Sequence, residues 1–213
     1  MFFDENGDVG GVGFNFCKHY IGPNGEANYD CDGVWNPRFG ILDEKVDISL
    51  GFLNPFTGPI AIYAEGFTVS WDVAIDHLNE IYGFLNFEVI EGDSACDGTT
   101  AATTAQTLVD DGVYAIAGAA CSGATLGAME ITSENQIPQV AYPSTSPAIT
   151  DADDDGYLFR VVPSDAQQGQ AIADLVAYYD FENPALLYMT NDYGAGTADA
   201  IENRLNEKGI ETC

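Results

Sequence analysis

The chain has 213 residues, enough for one large or two small domains, and 46% of them are apolar, enough to build a buried core. Six Lys plus Arg stand against 34 Asp plus Glu, a formal net charge of -28 at pH 7. So acidic a surface repels phosphate backbones and anionic headgroups, which argues against nucleic-acid binding, and no run of about 18 apolar residues exists to span a membrane.

Residues 1–45 are rich in Gly, Asn and Asp without a sustained period and read as an irregular, acidic N-terminal extension. The start, MFFDENGDVGG, lacks the basic residues and apolar stretch of a signal peptide, so any export signal is expected to lie outside the chain or to have been removed. Asp4, Asn6 and Asp8 alternate like the start of a calcium loop. Val9 and Asn15 stand where such a loop needs Gly and Glu, and no metal site is assigned.

From Val46 the texture changes. VDISLGFLN (46–54) predicts a strand, NPFTGP a turn, and Tyr63 to about Glu80 a helix, with Phe67, Trp71, Ala74, Ile75 and Leu78 at helical spacing. FEVIE (87–91) predicts a strand, 99–111 a helix, VYAIAGA (113–119) a strand, and Ser122 to Glu134 a helix. Strands follow at PQVAY (138–142) and LFRVV (158–162), then a helix from Asp165 to Tyr179, a strand PALLYM (184–189) and a helix from Gly196 to Lys208. This alternation demands an α/β fold, a parallel sheet with helices on both faces. Ligands of such sheets sit at the carboxyl ends of the strands, which singles out loops 54–63, 92–98, 119–125, 142–150 and 190–196.

Several of these loops set hydroxyls beside helix starts, where unpaired N–H groups and partial positive charge favour an anion. Ser122 opens one helix, and Ser144, Thr145 and Ser146 fill another loop. Gly118, Ala119, Ala120, Gly123 and Ala124 leave room for a carboxylate to reach the backbone, while the absence of phosphate-loop patterns argues against a nucleotide, and no cofactor is implied. Capping of helices and turns by the same hydroxyls remains the competing reading. Tyr63 and Tyr193 stand at loop-to-helix junctions as walls of a cleft, or as residues packed at the edge of the core.

Catalysis has little support. A nucleophile at Cys121 or Ser122 needs a base, and only His19 and His77 exist, one in the N-terminal extension and one well inside a helix. The G-x-S-x-G elbow is missing, so a small α/β hydrolase using Cys121 is a lesser alternative. The five cysteines (Cys17, Cys31, Cys96, Cys121, Cys213) show no zinc or redox spacing and fit an oxidising compartment, with two disulfides and Cys213 left over. The run DADDDG (151–156) reads as solvated surface.

Taken together, SLGFLNPFTGPIAIYAEGF, DSACDGTTAATTAQTLVDDGVYAIAGAACSGAT, YPSTSPAIT, FRVVPSDAQQGQAIADLV and ALLYMTNDYGAG resemble the periplasmic substrate-binding proteins of branched-chain amino acid ABC transporters, type I periplasmic binding proteins. The resemblance runs from about Val46 to the end. It implies two α/β lobes closing on a ligand, with lobe I at 46–162 and the start of lobe II at 163–213, so that the chain reads as a fragment of a longer protein. It further implies Tyr63 as the aromatic wall of lobe I and Ser122 and Thr145 as hydroxyl ligands of an amino acid's carboxylate and ammonium, assisted by the backbone around Pro143 and Ser144. Tyr193 would close from lobe II. The family's disulfide matches Cys96 and Cys121, with Cys17 and Cys31 the remaining pair, and the acidic residue that meets the ammonium from lobe II would lie beyond Cys213. The expected function is an extracytoplasmic solute-binding protein without catalysis, partnered by an ABC permease, periplasmic or extracellular, with lipid anchoring of the full-length protein among the expectations. The alternative within the same fold is the ectodomain of a sensory receptor.

Overall fold

The computed structural model describes residues 2–3, 9–10, 14–21, 23–36, 40–42, 46–82 and 85–213, with side chains at 23–26, 46–82 and 85–213. The chain divides into two units, residues 1–48 with 72–88, and residues 49–71 with 89–213.

In the first unit, strands β1 (Phe2–Phe3) and β2 (Val9–Gly10) pair antiparallel. Strands β3 (Phe14–Ile21), β4 (Ala27–Asn36) and β5 (Gly40–Leu42) form an antiparallel sheet in that order. The expectation of an irregular extension is therefore corrected. The alternation of Phe14 and Phe16 is a strand signal that the Gly/Asn-rich composition hides, and a tight turn with Gly25 at φ +79° lets β3 fold back on β4. The ladder between β3 and β4 changes register between Phe16 and Lys18. The side chains of His19 and of the expected Cys17–Cys31 pair lie outside what is described, as do the calcium-like residues Asp4, Asn6 and Asp8. Also in this unit, Asn79 clamps the end of a helix to the strand that follows: Phe87 N–H donates to Asn79 Oδ1 at 2.8 Å and Asn79 Nδ2 donates to the Phe87 carbonyl at 3.2 Å.

The second unit contains most of a five-stranded open sheet, whose first two strands begin in the other unit. Strands β6 (Val46–Asn54), β7 (Leu85–Asp93), β8 (Ala115–Ala117), β9 (Gln139–Ala141) and β10 (Leu158–Arg160) lie in the order β10-β9-β8-β6-β7. The β10–β9, β9–β8 and β8–β6 pairs are parallel. Helices α1 (Ala64–Ile81), α2 (Gly98–Asp110), α3 (Ser122–Glu134), α4 (Asp165–Tyr178) and α5 (Asp192–Glu207) connect or follow the strands. The α/β architecture read from the alternation of periods is the observed one.

Leu53, Leu108, Val113 and Ile116 pack with five buried alanines, Ala101, Ala105, Ala119, Ala124 and Ala128, to join α2 and α3 to the sheet. Alanine at the facing positions brings the helices close, and a Cβ on Gly127 would strike the Gly98 carbonyl. Gly118 ends β8 at φ +148° against the backbone of Leu53, a conformation and a contact that only glycine allows. Elsewhere in the unit Phe52 stacks on Trp71 at 4.9 Å between ring centres, and Asn54 Nδ2 donates to the Ala64 carbonyl and to Thr68 Oγ1, both at 3.1 Å, tying the start of α1 to β6.

The strand expected at 184–189 does not form. A strand exists by its ladder, and among the described residues the one backbone bond that reaches this segment runs from Cys213 N–H to the Pro184 carbonyl at 3.2 Å. Leu187, Tyr188 and Met189 are correspondingly exposed. Among the described residues no helix is long and apolar enough to cross a membrane.

Candidate functional site

The loops at the carboxyl ends of β6, β7, β8 and β9 converge with the starts of α4 and α5 around a cavity of about 610 Å³, within the usual range for a small-molecule site. Four helix starts contribute to its wall: Asp97 and Gly98 of α2, Ser122 and Gly123 of α3, Asp165 of α4, and Asp192 and Tyr193 of α5. Each presents N–H groups without intrahelical partners. Three of the four carry their own carboxylate. Asp97 caps α2, accepting from Thr100 N–H and Thr100 Oγ1, both at 2.8 Å, and these bonds hold its carboxyl below the usual range. Asp165 and Asp192 occupy the first turns of α4 and α5. The α3 start differs: no side chain caps it and its first turn holds no acid.

That start is held by a buried polar network. Thr125 Oγ1 donates to the Ala119 carbonyl at 3.1 Å and accepts from Ala119 N–H at 3.2 Å. Ser144 Oγ donates to the same carbonyl at 2.9 Å and lies 2.7 Å from Thr125 Oγ1. Behind them Gln139 Nε2 donates to the carbonyls of Gly118 and Thr125 at 2.9 and 3.1 Å, and Thr132 Oγ1 donates to Gln139 Oε1 at 2.7 Å. Tyr142 Oη donates to the Leu53 carbonyl at 3.3 Å, and burial pushes its phenol well above the usual range. The disulfide joins Cys96 to Cys121, with Cα atoms 5.2 Å apart, and pins the loop before α2 to the residue before α3. With its sulfur in that bond Cys121 has no thiolate to offer, which removes the nucleophile on which the hydrolase alternative depended.

The residues singled out in the sequence separate here. Ser122, Thr145 and Tyr193 line the cavity together with Pro143. The Ser122 hydroxyl is almost fully buried and accepts from Ser146 N–H at 3.2 Å. Ser144 is 1% exposed and its hydroxyl faces the network just described, outside the cavity lining. Tyr63 is 61% exposed and is not among the lining residues.

Sequence reasoning missed Asp165. It is 3% exposed, lines the cavity, and accepts at Oδ2 from Thr145 Oγ1 at 2.7 Å and from Thr197 Oγ1 at 2.8 Å. Its backbone N–H donates to the Thr145 carbonyl at 2.8 Å. One carboxylate thus joins the loop after β9 to both helices that follow. The only sequence signal was an acid directly after the α4 cap Ser164, and helix starts commonly carry acids for the dipole alone. Among the described residues no group of three or more His, Cys, Asp or Glu is arranged to hold a metal.

The fold has known counterparts. Over 170 residues the chain is 30% identical to a leucine-, isoleucine-, valine-, threonine- and alanine-binding protein of Pseudomonas aeruginosa, a match covering 77% of this chain and 44% of that protein. A leucine-binding protein from Thermotoga maritima superposes with a TM-score of 0.65 at 26% identity, over 78% of this chain and 47% of that one. A branched-chain amino acid transporter substrate-binding protein from Streptococcus pneumoniae, solved in complex with isoleucine, gives a TM-score of 0.65 at 25% identity, over 74% of this chain and 46% of that one. The chain spans about half the length of the curated relatives it matches. Residues 68–211 match the family described as the receptor family ligand binding region, a span that holds β7 to β10 and the starts of α2 to α5. The chain belongs to that family.

Proposed function

We propose that this protein is an extracytoplasmic solute-binding protein that captures a small amino acid in the cleft between the sheet and the α4–α5 pair, without chemistry, and delivers it to an ABC permease. The observation that carries the reading is the pairing, in one cavity, of an α3 start with no capping side chain and no acid in its own first turn with the buried carboxylate of Asp165. The unpaired N–H groups of α3 and the Ser122 hydroxyl suit the ligand's carboxylate. Asp165 suits its ammonium, and Thr145 and Thr197 hold the acceptor in place. Tyr193 lies on the α5 side of the same wall. The sheet with α2 and α3 then corresponds to the first lobe and residues from 163 onward to the beginning of the second. The disulfide suits a periplasmic or extracellular setting, where a lipid anchor would keep the protein near its permease.

Calorimetry with the full-length protein across the twenty amino acids tests the reading: one-to-one binding of at least one of them is expected, and no heat with any would overturn it. Replacing Asp165→Asn keeps the shape and removes the charge, and is expected to weaken binding by roughly tenfold to a hundredfold while the far-ultraviolet circular dichroism stays unchanged. The match to a receptor ligand-binding region supports one second reading, the ectodomain of a sensory receptor. A transmembrane helix and a signalling domain encoded in the same gene would favour it.

A further inference from the structure

We infer that Arg160 is a positioning residue for this site: from outside the cavity its guanidinium fixes the loop after β9 that presents Thr145 and meets Ser122, and so sets how tightly an amino acid is held; the inference rests on the amino-acid-binding reading above. Arg160 ends the edge strand β10, in register with Ala141 at the end of β9. From there Nη1 donates to the Ser146 carbonyl at 2.9 Å and Nη2 to Thr150 Oγ1 at 2.8 Å. These acceptors flank the short 3-10 turn Pro147–Ile149, so one planar fork spans the turn from end to end. Ser146 is the pivot. It is fully buried, its carbonyl receives the guanidinium, and its N–H donates to Ser122 Oγ at 3.2 Å. One residue earlier, Thr145 lines the cavity and meets Asp165 through both its hydroxyl and its carbonyl. Arg160 itself is absent from the cavity lining and faces a separate hollow on the outer side of the loop, with Thr150 and Gln167.

The partners of this cation stand out in a chain with six basic residues against 34 acidic ones. Arg204 pairs with Asp174 and Glu207, and Lys208 with Asp174. Arg160 has no ion-pair partner among the described residues, and donates instead to a carbonyl and a hydroxyl. Hydrogen bonds from a charged donor are roughly twice as strong as neutral ones, and two from one rigid fork fix orientation as well as distance. Within the loop, Ile149 N–H donates to the Ser146 carbonyl at 3.2 Å and Thr150 N–H to the Pro147 carbonyl at 2.8 Å. Those bonds close the turn on itself. The guanidinium ties the closed turn to the sheet, so that Ser122 and Thr145 share one frame before a ligand arrives. A site ordered in advance loses less freedom on binding, and affinity therefore depends on a residue that does not touch the ligand.

Calorimetry on the full-length protein, with whichever of the twenty amino acids the wild type binds most tightly, tests this role. Arg160→Gln is expected to raise the dissociation constant about tenfold. Arg160→Lys keeps the charge but reaches one acceptor at a time, and is expected to recover part of that loss. Thr150→Val, at an exposed position outside the cavity lining, removes one arm of the fork and is expected to weaken binding severalfold. Arg204→Gln removes a guanidinium that serves carboxylates on the outside of α4 and α5, and is expected to leave affinity unchanged. Once Ser122→Ala has removed the acceptor of Ser146 N–H, adding Arg160→Gln should cost well under a further tenfold, a non-additivity that a general loss of stability would not produce. Wild-type affinity in Arg160→Gln, or in both Arg160→Lys and Thr150→Val should that variant fail to fold, would overturn the positioning role while leaving amino-acid binding intact, and so would full additivity with Ser122→Ala. No binding of any amino acid by the wild type would overturn both.

Discussion

The two sides of the cleft are built differently. On the side of the sheet, nine buried apolar residues join α2 and α3 to β6 and β8, and a polar network of Thr125, Thr132, Gln139 and Ser144 sits beneath the α3 start with its buried hydroxyl and amide groups hydrogen-bonded. On the other side, α4 and α5 share a buried cluster of only Ala173, Ile201 and Leu205, and Leu175, Tyr178, Leu187, Tyr188 and Met189 remain exposed. The α3 start and Ser122 stand on the densely packed side, while Asp192 and Tyr193 stand on the sparsely packed one. Stability should therefore reside in the first region, and adjustment to a ligand in the second.

A core truncation is the most direct way to break this comparison. Leu108→Ala is expected to cost about 2–5 kcal/mol in denaturant unfolding, because a tightly packed site cannot collapse around the cavity. Ile201→Ala in the smaller cluster should cost less, about 2 kcal/mol or below. A reversed order would mean that α4 and α5 carry the stability. Next in size is the disulfide: the double variant Cys96→Ser, Cys121→Ser removes a bridge across 25 residues and should lower stability by about 3 kcal/mol in the chain-entropy account, with faster amide exchange at the start of α3.

Acid titration gives the smallest effect. Burial works against the charged form of Asp93, but donors at Thr57 Oγ1 (2.6 Å), Ala95 N–H (2.8 Å) and Thr57 N–H (3.1 Å) outweigh it and hold the carboxyl below its ordinary 3.8. A lowered folded-state value favours the native protein above the unfolded value, and that contribution is lost as pH falls through the folded one. Asp93→Asn should therefore flatten the loss of stability below about pH 4 relative to wild type. An unchanged acid limb would mean that Asp93 does not anchor the loop before α2.

Much of this protein could be read without coordinates. The run VDISLGFLN is β6 residue for residue, and the small-residue stretch from Ser122 to Glu134 is α3, because strand and helix periods are written in local sequence. The loops that converge on the cavity also followed from local patterns, since alternating strands and helices leave a parallel sheet few other ways to place a ligand. Three adjacent hydroxyls were harder. Ser144, Thr145 and Ser146 look alike in sequence, yet Ser144 turns into the network, Thr145 meets Asp165 and lines the cavity, and Ser146 gives its N–H to Ser122. Nothing in their chemistry separates them. Their roles depend on which groups arrive from residues 19 or more positions away.

The same distinction covers the remaining differences. Sequence alone determined the α/β class, the loops that face the cleft and the absence of a base for Cys121, since these depend on period, residue type and count. Tertiary structure decided that 14–21, 27–36 and 40–42 form an antiparallel sheet, that 184–189 lacks a ladder, that Asp165 is the buried acceptor, and that Asp192 reaches Gly123. Each of those outcomes depends on a partner brought close by the fold, and a backbone ladder, a buried carboxylate or an unpaired charge acquires its meaning only from the groups around it.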